Sequence, residues 1–108
     1  MTQTRVVNRR VERGAVYIGR VAGSARHFGN PFSHGRGTLA RVRVKSRPEA
    51  IARFRAWLRR EADLDVEPER RDWVLANLRL LRGQVLECFC KPLACHGDVY
   101  VELLEVES

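Results

Sequence analysis

The sequence predicts a small α/β fold, a layered sheet with flanking helices, from two observations. Short β-branched runs near both ends of the chain frame two helical patterns. A late buried-strand pattern is followed at once by a helical one, the order in which α/β units place a ligand site. At 108 residues the chain suffices for one domain with a modest core, spanning residues 1–108.

The runs RVVN (Arg5 to Asn8) and AVYIG (Ala15 to Gly19) predict two early strands, separated by a charged stretch that ends in Gly14. Asn8 follows the first and Arg20 the second, so each carries a polar side chain at a strand end. From Gly23 to Gly37 the chain is rich in Gly, Ser, His and Asn around FGNPF and shows neither helical nor strand periodicity. A loop of that length in a compact domain points to function. Within it Gly29 permits close backbone approach and Asn30 before Pro31 forms a turn, although an ordinary turn anchored by Phe28 and Phe32 explains the same residues. LARVRV (Leu39 to Val44) alternates apolar and basic residues and reads as a strand or a continuation of the loop.

Ser46 and Glu49 form a capping box with Pro48 in the first turn, predicting a helix from Arg47 to Ala62 that buries Ile51, Phe54 and Leu58. A second helical pattern opens at Pro68, places Val74, Leu78 and Leu81 on one face and stops at Gly83. QVLECFC (Gln84 to Cys90) reads as a buried strand, and GDVYVELLEV (Gly97 to Val106) as a last helix with Val99, Leu103 and Val106 inward. Trp57 and Trp73 fall on helices as core-edge residues, and His27 and His34 read as loop residues.

The net charge of +7 hides a split: residues 1–60 hold 15 Lys and Arg against 2 Asp and Glu, and residues 61–108 hold 5 against 11. That asymmetry suits an electropositive face for phosphates or nucleic acid, and equally a solvated arginine-rich surface. Residues 1–10 lack an apolar signal core, and no apolar run approaches the roughly 20 residues that cross a bilayer. The expectation is a cytoplasmic protein without membrane contact. Three cysteines in one short window oppose the disulfide framework of a secreted domain.

Those cysteines lie in LECFCKPLACHGD, at the junction of the late strand and the last helix. Zinc is one reading: Cys88, Cys90, Cys95 and His96 supply four ligand types, but the spacing lacks the usual two-residue knuckle. Nucleophilic catalysis is another, with Cys95 at a helix start beside His96 and Asp98 as the catalytic set. A third is ligand gripping, in which backbone N–H groups of Ala94 to Gly97 hold a phosphate or carboxylate. Plain packing of buried thiols, with Asp98 capping its helix, competes with all three. If the strands run parallel, Asn8, Arg20, Asn30 and Cys95 converge on one rim in a Rossmann-like arrangement. Arg20 is then the natural anion clamp.

Taken together, VVNRR, VYIGR, GNPF, LRGQVLECFC and CKPLACHGDVYVELL give the chain a recognisable signature. It resembles the bacterial and phage family known as domain of unknown function 4326, from about Arg5 to about Leu104. Phe89 stands where tryptophan is more usual between the first two cysteines. The resemblance implies that Asn8, Arg20, Gly29, Asn30, Pro31, Cys88, Cys90, Pro92, Cys95, His96 and Asp98 match signature positions and share a site. It implies no particular activity. The expectation is a ligand site built from Asn8, Arg20, Gly29, Asn30 and Gly97, with Cys95, His96 and Asp98 as candidate catalytic groups. Its ligand is a nucleotide or another phosphorylated or nucleic-acid-derived molecule, and whether it is processed or only bound stays open. The alternative is a zinc-stabilised nucleic-acid-binding module that uses the basic N-terminal half.

Overall fold

The computed structural model describes residues 3–14, 16–24, 26–35, 40–89, 91 and 93–106. Among these the chain order is β1 (Arg5–Asn8), β2 (Val16–Tyr17), β3 (Phe32–Ser33), β4 (Val42–Arg43), α1 (Arg47–Leu58), α2 (Pro68–Asn77), a 3-10 helix (Leu78–Leu81), β5 (Val85–Cys88) and α3 (Gly97–Val106). The architecture is a small α/β fold with three α-helices and two parallel sheets.

β5 is the central strand, parallel to β1 on one side and β2 on the other. Its register sets Asn8 opposite Cys88 and Tyr17 opposite Glu87. Because all three strands run the same way, their carboxyl ends lie along one rim. The backbone bonds Arg9 N–H to Cys88 O (2.8 Å) and Ile18 N–H to Glu87 O (3.0 Å) hold the chain just past that rim. The loop expected around FGNPF contains β3, which pairs in parallel with β4 through Phe32 and Val42. The late strand ends at Cys88, and Cys90 lies outside the described residues.

α1 begins as its capping box predicts: Ser46 Oγ accepts from Glu49 N–H at 3.2 Å. Glu49 reaches back one residue further than expected, accepting from Lys45 N–H at 2.7 Å. The helix stops at Leu58 rather than Ala62. Arg60 adopts a left-handed φ of 58°, Arg60 N–H bonds Trp57 O, and Glu61 N–H bonds Ala56 O. These two bonds form a Schellman stop without the glycine that usually announces one. The second helical pattern keeps its start at Pro68 and tightens into the 3-10 turn before Gly83, whose φ is 76°.

One face of β5 enters the core, where Leu86 and Cys88 pack with Ile18, Phe54, Trp57, Val74, Val99 and Tyr100. Trp57 is fully buried rather than at the core edge, and its indole N–H donates to Val66 O at 2.7 Å. That bond satisfies the one polar atom a buried indole brings with it. The other face of β5 carries Glu87, buried despite its charge. It is stabilised there by Gly14 N–H at 2.7 Å and by the guanidinia of Arg13 (3.0 Å) and Arg9 (3.5 Å). These partners, the Gly14 amide foremost, hold the carboxyl below its ordinary pKa of 4.5.

Gly14 must be glycine for that approach. A Cβ there would lie 2.4 Å from Val85 O and 3.0 Å from Glu87 Cγ. Gly14→Ala is expected to destabilise the fold by about 1–3 kcal/mol, the usual cost of forcing a methyl group into packed structure. Urea denaturation measures it, and an unchanged midpoint contradicts the packing described.

Candidate functional site

A cleft of about 450 Å³ opens at the carboxyl ends of β2 and β5. Its walls come from five segments: Tyr17, Gly19 and Arg20 after β2; Asn30 and Phe32 to Gly35 around β3; Arg47, Ala50 and Ile51 in the first turns of α1; Cys88 and Phe89; and Ala94 to His96 before α3. No described residue of that lining is acidic, while two arginines and two histidines contribute.

Of the residues singled out from sequence, Arg20, Asn30, Cys88, Cys95 and His96 meet at this cleft. Arg20 Nη1 donates to Asn30 O at 2.8 Å, so the bond that steadies the guanidinium also fixes the neighbouring loop. Gly29 makes this possible, since a Cβ at that position would sit 2.5 Å from Arg20 Cγ and 2.8 Å from Arg20 Cα. Asn30 is buried; its Nδ2 donates to Ala50 O (3.1 Å) and its Oδ1 accepts from Phe32 N–H (2.9 Å). Its amide is therefore spent on joining the loop to α1.

His96 is held on three sides. Its Nε2 lies 2.7 Å from Ile18 O, and because a carbonyl can only accept, this nitrogen carries a proton. The ring meets Phe54 and Tyr100 edge to face, at 5.3 and 5.8 Å between centroids. The fixed imidazole borders the cleft as a pre-oriented polar group. The Tyr100 hydroxyl donates to Phe28 O at 2.6 Å, and full burial pushes its phenol pKa well above the ordinary tyrosine value.

Cys95 is buried with its Sγ 3.4 Å from that of Cys88, and it accepts Gly97 N–H at 3.2 Å. Asp98 does not border the cleft. Its carboxylate accepts Cys95 N–H at 3.1 Å and pairs with the Lys91 ammonium. Burial opposes the charge on Lys91, but Asp98 outweighs it and the lysine pKa stands above its usual value. Two of the backbone donors expected to grip an anion, Cys95 N–H and Gly97 N–H, thus already have partners inside the protein. Gly97 itself is buried, and a Cβ there would meet Ile18 Cδ1 at 2.8 Å and Val6 Cγ2 at 2.9 Å. It lets α3 start close against the strands, and it lies behind the cleft wall.

Asn8 likewise braces backbone: Nδ2 donates to Lys91 O (2.6 Å) and Phe89 O (3.4 Å), and Oδ1 accepts Arg10 N–H (2.8 Å). Cys90, the remaining member of the zinc set, lies outside the described residues. Among the described residues no group of three His, Cys, Asp or Glu side chains is placed to hold a metal ion, and no helix is long and apolar enough to cross a membrane.

Several cleft residues were not picked out from sequence. Arg47 follows the Ser46 cap, and its Nη1 donates to Ala94 O at 3.3 Å across the cleft from α1. Tyr17 lies over Gly19, where a Cβ would come 2.1 Å from the tyrosine oxygen. Arg70 on α2 is almost fully buried, stacks on Trp57 at 5.2 Å and donates to His27 O (3.0 Å) and Gly29 O (2.7 Å). It secures the loop that carries Asn30 from the far side. For Tyr17 the signal was present as an aromatic residue two positions before a glycine. The buried Arg70 has one local partner, Glu67 three residues before it at 2.9 Å, but the loop carbonyls it secures, those of His27 and Gly29, lie some 40 residues away in sequence.

The site thus defines a small α/β protein with a cation-lined cleft at the ends of its parallel strands. The family model described as "Domain of unknown function (DUF4326)" matches residues 2–106, and the chain belongs to that family. No curated protein and no solved structure matches the chain.

The loop beneath the cleft carries a pH dependence. Burial lowers the His27 pKa below 6.5, and the Arg70 charge acts in the same direction, joined by Arg20 and His96 against the opposing Glu67. The unfolded chain therefore takes up a proton at His27 near pH 6.5, while the folded protein resists until lower pH. Stability is expected to fall as pH drops through that window and to gain nothing from this group above it. Urea midpoints at pH 7.5 and 5.5 measure the loss. His27→Gln should reduce the difference, leaving the loss at more acidic pH that follows Glu87. An identical difference in the variant excludes His27 as the source.

Proposed function

We propose that the protein binds a nucleotide, or another phosphorylated molecule derived from nucleic acid, in the strand-end cleft. The observation that carries this reading is the lining: Arg20, Arg47, His34 and His96 supply cationic or donor groups, with no acidic side chain among the described residues opposing them. An anionic group there meets favourable potential from several directions. The rings of Tyr17 and Phe89 share the walls and offer apolar surface to a base, while Phe32 lies buried. A volume of about 450 Å³ is in the range of small-molecule and cofactor pockets.

The reading takes the three-stranded parallel sheet as Rossmann-like, with the ligand at the carboxyl ends of the strands, where open α/β sheets bind. It moves anion recognition away from the start of α3, whose donors serve Asp98 and Cys95, to the guanidinia of Arg20 and Arg47. Each guanidinium already gives one N–H to a backbone carbonyl, but the Arg47 bond to Ala94 O is longer (3.3 Å against 2.8 Å) and exposed, so Arg47 is the freer to turn its fork to a phosphate. Any chemical step would fall to His96, the ionisable ring fixed at the cleft wall, and His96→Ala separates binding from turnover.

Thermal-shift measurements against nucleoside mono-, di- and triphosphates, nucleosides and sugar phosphates test the proposal. A ligand at about 100 times its Kd stabilises the fold by roughly 2.7 kcal/mol. Arg47→Ala is expected to weaken that ligand about tenfold or more, the cost of one charge-assisted contact. The absence of any shift across the panel at millimolar concentration contradicts the proposal.

A further inference from the structure

The outer lip of the cleft is unlike its interior. Phe89 keeps 47% of its surface exposed and meets Tyr17 edge to face, with centroids 6.0 Å apart and planes at 71°. Both rings line the cleft on one side. The same rings face guanidinia: Arg9 lies 4.9 Å from the centre of Tyr17 and 6.0 Å from that of Phe89, and Arg10 lies 5.2 Å from Phe89.

The three arginines that follow β1 are not equivalent. Arg9 and Arg13 share the buried carboxylate of Glu87, and the Glu12 carboxylate is engaged by Arg5. Arg10 makes no ion pair among the described residues. Its guanidinium rests on an exposed aromatic face beside an open cleft, a cation held next to a stacking surface. An exposed ring and an uncommitted cation are the two elements from which single-stranded nucleic-acid sites are built. The ring stacks one base, the cation meets the phosphate beside it, and every base offers a π-face.

We propose that this lip binds single-stranded nucleic acid, so that the cleft receives one nucleotide of a strand whose next residue stacks on Phe89 and whose phosphate is met by Arg10. The inference rests on the nucleotide reading of the cleft and gives it a substrate class, a nucleotide within or at the end of a strand. A duplex is excluded as the preferred ligand because its base faces are already stacked on one another. An acidic peptide could satisfy Arg10 but would leave the Phe89 face without a planar partner.

Fluorescence anisotropy with labelled single-stranded DNA and RNA 12-mers, the matched duplexes and competing 5′-mononucleotides tests the inference. Single strands are expected to bind at least about tenfold more tightly than either duplexes or mononucleotides, as added stacking and phosphate contacts require. Phe89→Ala should weaken single-strand binding by about tenfold. Arg10→Gln should weaken it and reduce the slope of log affinity against log salt by about 0.7, the share of one phosphate in a single strand. Arg79→Gln, an exposed arginine on the 3-10 turn, is the charge control and should leave binding unchanged. Far-UV circular dichroism confirms that each variant is folded.

Single strands that bind no better than mononucleotides, or no better than duplexes, overturn the inference and leave the cleft reading standing. So does equal loss in Arg79→Gln and Arg10→Gln, which marks general charge attraction. Binding to neither mononucleotides nor strands overturns both readings. Strand binding that is lost in Phe89→Ala and Arg10→Gln but indifferent to Arg47→Ala upholds the lip and removes the cleft from it.

Discussion

The parallel pairing of β5 between β1 and β2 is the constraint on which the rest of the structure depends. It brings residues 5–8, 16–17 and 85–88 into one sheet and sends all three carboxyl ends to the same rim. A parallel strand buried on both faces must satisfy both, and β5 does so in two ways. Leu86 and Cys88 enter an apolar core, while Glu87 is charged and sheltered by Gly14, Arg9 and Arg13. Removing one partner from such a group leaves the desolvation cost uncompensated, so the basic stretch after β1 is tied to the sheet it follows. From that point the geometry of the site is inherited: Tyr17 at the end of β2 stands opposite Glu87, Phe89 follows two residues later just past β5, and α3 starts close behind because Gly97 has no side chain.

The division of charge along the chain takes on a different meaning in three dimensions. Arg9, Arg13, Arg53, Arg55 and Arg60 from the basic half pair with Glu87, Asp63, Glu102 and Asp72 from the acidic half. Much of the asymmetry is thus internal complementarity between segments that pack together. The exposed pairs among them add little to stability. At the cleft, Arg20 and Arg47 belong to a lining with no acidic side chain among the described residues, and at its lip Arg10 rests on the Phe89 ring.

The elements themselves were largely legible. Ser46 announced α1, Pro68 and Gly83 bracketed the second helical segment, and the apolar spacing of GDVYVELLEV gave α3. What local pattern could not convey was long-range. The end of α1 came four residues early because Arg60 takes a left-handed φ that glycine would have advertised. β3 is two residues long and exists through β4. Arg20, Asn30, Cys95 and His96 stand out in the sequence by their positions at segment ends, and the fold places them along the cleft. Asn8, Gly29, Gly97 and Asp98 came from the same reasoning, yet they serve backbone carbonyls, close contacts and a helix start. Sequence alone does not say what a side-chain amide will meet: that of Asn8 donates to carbonyls more than 80 residues away and that of Asn30 to Ala50 O. Arg47, Tyr17 and the exposed face of Phe89 join the site through packing that no local spacing encodes.

The central claim is that the cation-lined cleft at the strand ends is where the ligand sits. Chemical-shift mapping of the ¹⁵N-labelled protein during titration with a nucleoside monophosphate tests it most directly. The account predicts that the largest shifts fall on Gly19, Arg20, Ser33 to Gly35, Phe89 and His96, which come from four separate segments and are joined by the cleft. Shifts concentrated on α2 and the 3-10 turn, or scattered over exposed arginines in proportion to their charge, would contradict it.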